Sequence, residues 1–253
     1  MFPREHGAYG QLLFPIVTAL AVGRPTAAAL LLAASAVMAF LAHEPMLVLL
    51  GQRGSRAARD DRSRAIGWFY TTAGAAMVLG GASLLLSASS VRAGVAVPSA
   101  LAVVLAAVIF SGREHSTAGE LVAAATFASL AYPVARAGGA SSHASLSCAS
   151  AFTAIFMAST LCVRAVIQHT RRPPAWPARV AGVVVALGAL GILRGTAEAG
   201  LLSSIAALGA LPACLAAALV ALIAPGSRRL RAIGWTLVAT TMVGAAALIV
   251  ALG

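Results

Sequence analysis

Apolar residues run through this chain in long blocks that neither alternate like a half-buried strand nor leave the polar stripe of a water-facing helix. Reading those blocks between charged or Pro/Gly-rich breaks predicts helices near 8–23, 26–51, 66–87, 93–111, 118–136, 145–169, 179–193, 200–223 and 231–252. Most reach the roughly 20 residues that a helix needs to cross the hydrocarbon core of a bilayer. The first and seventh are shorter, which calls for an unusual tilt or for shielding by neighbours. Small residues recur inside the blocks, as in TTAGAAMVLGGAS and VAGVVVALGALG. They allow close backbone approach where lipid supplies no hydrophobic drive for association. The expected fold is therefore all-α, a tight polytopic membrane bundle of about nine transmembrane helices.

Composition agrees with the pattern. With 60% hydrophobic and 10% charged residues and a mean hydropathy of +0.92, the 253 residues cannot make a water-soluble surface. Nine spans with short connections leave no room for a sizeable soluble domain, so residues 1–253 form a single integral membrane domain. The lipid bilayer is the first partner.

A net charge of +11 would suggest nucleic acid in a soluble protein, but the position of the charge gives a simpler account. All 18 basic residues are arginine. Arg4, the loop 2–3 residues Arg53, Arg56, Arg59, Arg62 and Arg64, Arg113 in loop 4–5, Arg171, Arg172 and Arg179 around loop 6–7, and Arg228, Arg229 and Arg231 around loop 8–9 fall on one side. The other side has only Arg24, Arg92, Arg136 and Arg194, while Arg164 falls within the sixth helix. Positive loops are retained in the cytoplasm during insertion. The expectation is a multi-pass protein of the inner (cytoplasmic) membrane, N-terminus in the cytoplasm, C-terminus periplasmic or extracellular, and no nucleic-acid partner.

Cys148, Cys162 and Cys214 lie inside apolar runs without metal-ligand or pairing spacing and read as small buried hydrophobes. No cleavable signal is expected, because only Arg4 flanks the first apolar run and no processed domain follows it. The pentapeptide RAIGW occurs twice, at Arg64–Trp68 and Arg231–Trp235, each time entering a helix from a basic loop. Arg and Trp suit an interfacial helix start, so no internal repeat is inferred.

Ionisable groups at membrane depth are costly and usually face a bundle interior or an aqueous cavity. Here they gather towards the arginine-rich side: Glu5 and His6 before helix 1, His43 and Glu44 in helix 2, Glu114, His115 and Glu120 around the start of helix 5, and Arg164, Gln168 and His169 at the end of helix 6. Three adjacent His–carboxylate pairs result, Glu5/His6, His43/Glu44 and Glu114/His115. Such pairs can bind a divalent metal, exchange protons or make structural hydrogen bonds, and their spacing does not choose among these. Pro45 follows His43/Glu44 at once and breaks the hydrogen-bond ladder of helix 2 about two turns before its end. In loop 2–3, GQRGSRAARDDRSR, the arginines suit phosphate or anionic headgroups, while Asp60 and Asp61 could hold Mg²⁺ for a diphosphate or simply form ion pairs within a solvated loop. Glu120 begins an apolar helix after Gly119, where an N-terminal cap also accounts for a carboxylate.

The segment PREHGAYGQLLFP near the start, followed by AHEPMLVLLGQRG at the end of helix 2, resembles the YwiC-like family of bacterial membrane proteins, and the resemblance covers nearly the whole chain. The wider plan is similar to UbiA-type intramembrane prenyltransferases, with nine helices and functional cytoplasmic loops 2–3 and 6–7. Pro15 with IVTALAVG looks like the first helix of that superfamily, and GELVAAATF from Gly119 looks like the start of its fifth. This second resemblance implies Asp-rich motifs holding Mg²⁺ against an isoprenyl diphosphate. His43 and Glu44 stand near the first motif's leading Asn-Asp, but Leu47 stands where its next Asp belongs. Loop 6–7, VRAVIQHTRRPPAWPAR, has no carboxylate.

The leading reading is a UbiA-like membrane protein that binds an anionic or isoprenoid-type lipid at a cytoplasm-facing pocket, as a transferase. His43, Glu44, Glu120 and His169 are the candidate catalytic residues. His6, Arg53, Arg56, Asp60, Asp61, Arg113, His115, Arg164 and Gln168 are the candidate ligand-binding residues, with Mg²⁺ as the implied cofactor. A transporter or a non-catalytic assembly protein are the alternatives; the first predicts an aqueous route to the outer face, the second a plugged mouth.

Overall fold

The computed structural model describes residues 6–171 and 175–253. Its helices are α1 (His6–Val22), α2 (Ala27–Leu41), α3 (His43–Leu49), α4 (Ser55–Asp60), α5 (Arg62–Leu86), α6 (Ser89–Phe110), α7 (Thr117–Ser129), α8 (Ala131–Ala137), α9 (Ser142–Arg171), α10 (Trp176–Glu198), α11 (Ser204–Ile223) and α12 (Leu230–Leu252). No strand occurs among the described residues. Among the described residues eight segments are long and apolar enough to cross a membrane, two of them formed by α2 with α3 and by α7 with α8; Gly7–Val22 is apolar but shorter than these. The chain is a polytopic helical bundle.

The short first helix is shielded as its length required. Leu12, Ile16 and Ala19 are buried, and α1 packs against α7, α8, α9 and α12. The centre belongs to α9, whose Cys148, Phe152, Ile155 and Cys162 are fully buried between α7, α10 and α11. All three cysteines are free and buried, as small apolar side chains.

Polar ties close the bundle at both ends. On the arginine-poor face, Arg24 N–H donates to the Gly138 carbonyl at 2.8 Å and the Thr26 hydroxyl to the Ala137 carbonyl at 2.8 Å. On the arginine-rich face, Gln52 Nε2 donates to the Ile109 carbonyl at 2.6 Å, tying loop 2–3 to the end of α6. Between them, Ser35 and Ser83 of the α2–α5 pair donate across the helix interface to the Ala76 and Ala28 carbonyls, each at 2.7 Å.

Three elements depart from the sequence reading. The fifth crossing, expected to be continuous over 118–136, is broken at Leu130, because Pro133 offers no N–H to the Ser129 carbonyl. The break at Ala42 in the second crossing has the same cause one proline earlier, Pro45 against Leu41. The seventh crossing is not short: α10 opens on Pro177 in its first turn and runs to Glu198. Arg194, which looked like a terminus, pairs instead with Glu198 at 2.9 Å along the helix surface. Loop 2–3 carries the short helix α4.

Candidate functional site

The broken second crossing decides what His43 and Glu44 do. Consecutive residues on a helix point about 100° apart, so side chains adjacent in sequence reach different neighbours. The Glu44 carboxylate is buried and takes a bidentate clamp from Arg53, Nε to Oε1 at 3.0 Å and a terminal nitrogen to Oε2 at 2.6 Å. His43 turns to another segment, its Nε2 lying 3.4 Å from Glu114 Oε2. His115 Nε2 approaches the other oxygen of the same carboxylate at 3.2 Å. Glu114, only 13% exposed, thus bridges two imidazoles. One of the three predicted His–carboxylate pairs is Glu114/His115; His43/Glu44 is divided between two partners; Glu5 and the His6 side chain lie outside the described residues.

The start of α7 builds a second cluster. Ser116 caps the helix by accepting from the Gly119 N–H at 3.1 Å, so the cap is Ser116 and not Glu120. Glu120 lies one turn further in and meets Arg164 of α9, Nε to Oε2 at 3.4 Å. Arg164 also donates to Thr117 Oγ1 at 3.1 Å and to the His115 carbonyl at 2.9 Å. Gly119 has to be glycine: a Cβ would lie 2.7 Å from the carbonyl oxygens of Arg113 and Glu114. That close approach folds loop 4–5 back over the start of α7 and brings Glu114 and Glu120 to one mouth.

Three chambers meet at that mouth. A long one of about 400 Å³ lies among α2, α5, α6, α7 and α8, with His43, Glu114, His115 and Glu120 at its polar end. From Ile109 to Val95 along α6 it extends about 21 Å, at 1.5 Å per residue. Both helix breaks line it, through Ala42 and through Leu130 and Pro133. Non-ideal helix at membrane depth is tolerated where it borders a cavity. Although joined only by Ser87 and Ala88, α5 and α6 do not pack along their lengths, which leaves this chamber's flank towards lipid. The second chamber, about 680 Å³, is a polar vestibule of His115, Glu120, Arg164, Gln168 and Arg171. The third, about 790 Å³, lies among α1, α7, α9 and α12 and also reaches Glu120.

Of the candidate residues, His43, His115, Glu120, Arg164 and Gln168 therefore converge, with Glu44 and Arg53 clamped together beside them. His169 lines none of the three chambers; its Nδ1 is buried without a hydrogen-bond partner among the described residues. Arg56, Asp60, Asp61 and Arg113 stand outside the chambers, and Asp60 pairs at 3.5 Å with the exposed Arg56. Glu114 is the residue whose weight the sequence understated. It was visible only as one of several carboxylates, and its bridging role depends on α3 meeting loop 4–5.

The donor set does not suit the Mg²⁺ implied by the UbiA resemblance. No three His, Cys, Asp or Glu side chains among the described residues form a group able to hold a metal ion. Asp60 of loop 2–3 pairs with Arg56, and both Glu44 oxygens are already taken by Arg53.

Comparison with known proteins gives one family. Neither a curated protein nor a solved structure matches the chain. The model of the family described as YwiC-like protein matches residues 2–136, which includes α1 to α7 and with them His43, Glu44, Arg53, Glu114, His115 and Glu120. With more than half of its length matched, this chain belongs to the YwiC-like protein family.

Proposed function

We propose that the protein binds an anionic, isoprenoid-type lipid at a cytoplasm-facing mouth and acts on it as a transferase on a UbiA-like helical plan. The observation that carries this reading is the joining of two unlike spaces. A narrow apolar chamber, suited to a hydrocarbon chain, ends at the His43–Glu114–His115 cluster and there meets a vestibule containing Arg164, Gln168 and Arg171. An amphiphile with a phosphate head matches both environments at once.

In this reading Arg164 and Gln168 hold the phosphate, and the vestibule's exposed arginine, Arg171, adds charge. Glu120 and the Glu114-bridged histidines exchange protons beside the headgroup. Glu44 and Arg53 are positioning residues, since each already occupies the other and together they fix the start of loop 2–3. Arg56, Asp60, Asp61 and Arg113 serve as the outer electrostatic rim. The excess of arginine on this face supports its assignment to the cytoplasmic side of an inner membrane.

Native mass spectrometry of gently extracted protein tests the reading. The expected result is a retained phosphate-bearing isoprenoid lipid whose occupancy falls about ten-fold in Arg164→Gln, the loss of one charge-assisted contact. Occupancy should fall likewise in Ala106→Phe, which fills the long chamber. Retention unchanged in both variants, or solute counterflow in proteoliposomes with no lipid retained, would overturn it.

A further inference from the structure

The third chamber contains groups that the lipid reading leaves unused. It lies between α1 and α12, backed by α7 and α9, and its walls include Phe14, Phe127 and Phe156. Two polar features mark its length.

The first is at the mouth. Arg231 and Trp235, the ends of the second RAIGW pentapeptide, both line the chamber. Their i, i+4 spacing puts guanidinium and indole on one face of α12. Arg231 is exposed and makes no ion pair with a carboxylate among the described residues. The second is deeper. Hydroxyls in these helices usually return to a carbonyl one turn earlier, as Thr153 does to Ala149 at 2.8 Å and Thr241 to Leu237 at 2.7 Å. Ser159 does not; its Oγ is buried without a partner among the described residues, and the residue borders the chamber. A buried hydroxyl left unpaired costs about 1–3 kcal/mol, a cost that an acceptor arriving with a ligand would remove. Ser159 lies five residues below Arg164 on α9, hence about 7.5 Å inside the mouth.

We propose that this chamber is a second binding site, for a single-chain amphiphile with an anionic head and an oxygen acceptor part-way along its body. The head pairs with Arg231 beside the Trp235 indole, the body lies against Phe14 and Phe156, and the body oxygen accepts from Ser159. Glu120, which borders all three chambers, stands in the wall between this ligand and the lipid of the long chamber. The protein then holds two amphiphiles side by side, with a carboxylate between them.

Photo-crosslinking of the full-length protein in nanodiscs tests the site. The probes are a diazirine-bearing fatty acid, its analogue with a keto oxygen near the carboxyl end, and the matching fatty alcohol. Crosslinks are expected on the chamber-lining parts of α1, α9 and α12. Arg231→Gln should weaken both carboxylate probes about ten-fold and leave the alcohol unchanged. Ser159→Ala should reduce the keto probe to the level of the plain chain. Ala106→Phe, which blocks the long chamber, should leave all of this labelling intact. Crosslinks scattered over the lipid-facing surface, or indifference to both Arg231→Gln and Ser159→Ala, would overturn the proposal. Labelling abolished by Ala106→Phe would show one shared space, removing the second site and leaving the lipid reading standing.

Discussion

His43 and Glu44 are neighbours in the chain and part company in space. Glu44 is 6% exposed at its side chain and Arg53 23%, so the clamp between them lies largely out of water. Removing one member of such a pair leaves the other charge poorly solvated, which typically costs more than the pair itself contributes. Glu44→Ala should therefore destabilise the protein by about 3 kcal/mol, read as a lowered midpoint in detergent unfolding. The double variant Glu44→Leu, Arg53→Leu should recover most of that loss. If the single variant unfolds like the parent, the clamp has no structural weight and Glu44 is free for other chemistry. The Arg164–Glu120–Thr117 group differs, because it borders open volume and its arginine remains accessible to a ligand.

At the scale of elements, close helix crossings and proline breaks share the work. Where α11 crosses α12, Gly209 and Gly244 meet backbone to backbone, and a Cβ on Gly244 would collide with the Gly209 carbonyl oxygen. Gly188 on α10 faces open space. Gly244→Ala should thus cost about 1–3 kcal/mol through overpacking, whereas Gly188→Ala should be neutral. Unfolding midpoints of the two variants decide this, and equal effects would mean that the α11–α12 contact is looser than drawn. Pro45 and Pro133 act differently. Each ends one helix and begins another in a first turn that needs no N–H, so the breaks cost little and open the wall of the long chamber.

For the whole molecule, charge is what distinguishes the two ends of the helices. The sequence gives its predicted loops thirteen arginines on one side and four on the other, and the proposed cytoplasmic mouth rests on that asymmetry. An impermeant thiol reagent should label Ser55→Cys only in inverted vesicles and Gly200→Cys only in right-side-out ones. The native cysteines are buried and should stay silent, giving a clean background. Labelling of Ser55→Cys from the outer side would reverse the orientation and move the candidate mouth to the periplasm.

The sequence by itself determined what depends on local composition: bilayer as solvent, the run of apolar helical segments, and the break at Pro45. These follow from hydropathy, length and missing backbone donors, which act within a segment. Pro133 carries the same missing donor, but so do Pro15, Pro98 and Pro212, which lie inside unbroken helices, so the break there was not legible from the chain alone. Tertiary structure alone decided that Glu44 belongs to Arg53, that Glu114 joins His43 to His115, and that Ser159 borders a cavity. Such partnerships depend on the rotation and depth of one helix against another, and a chain in which nearly every helix is apolar all round carries little periodic signal to fix either.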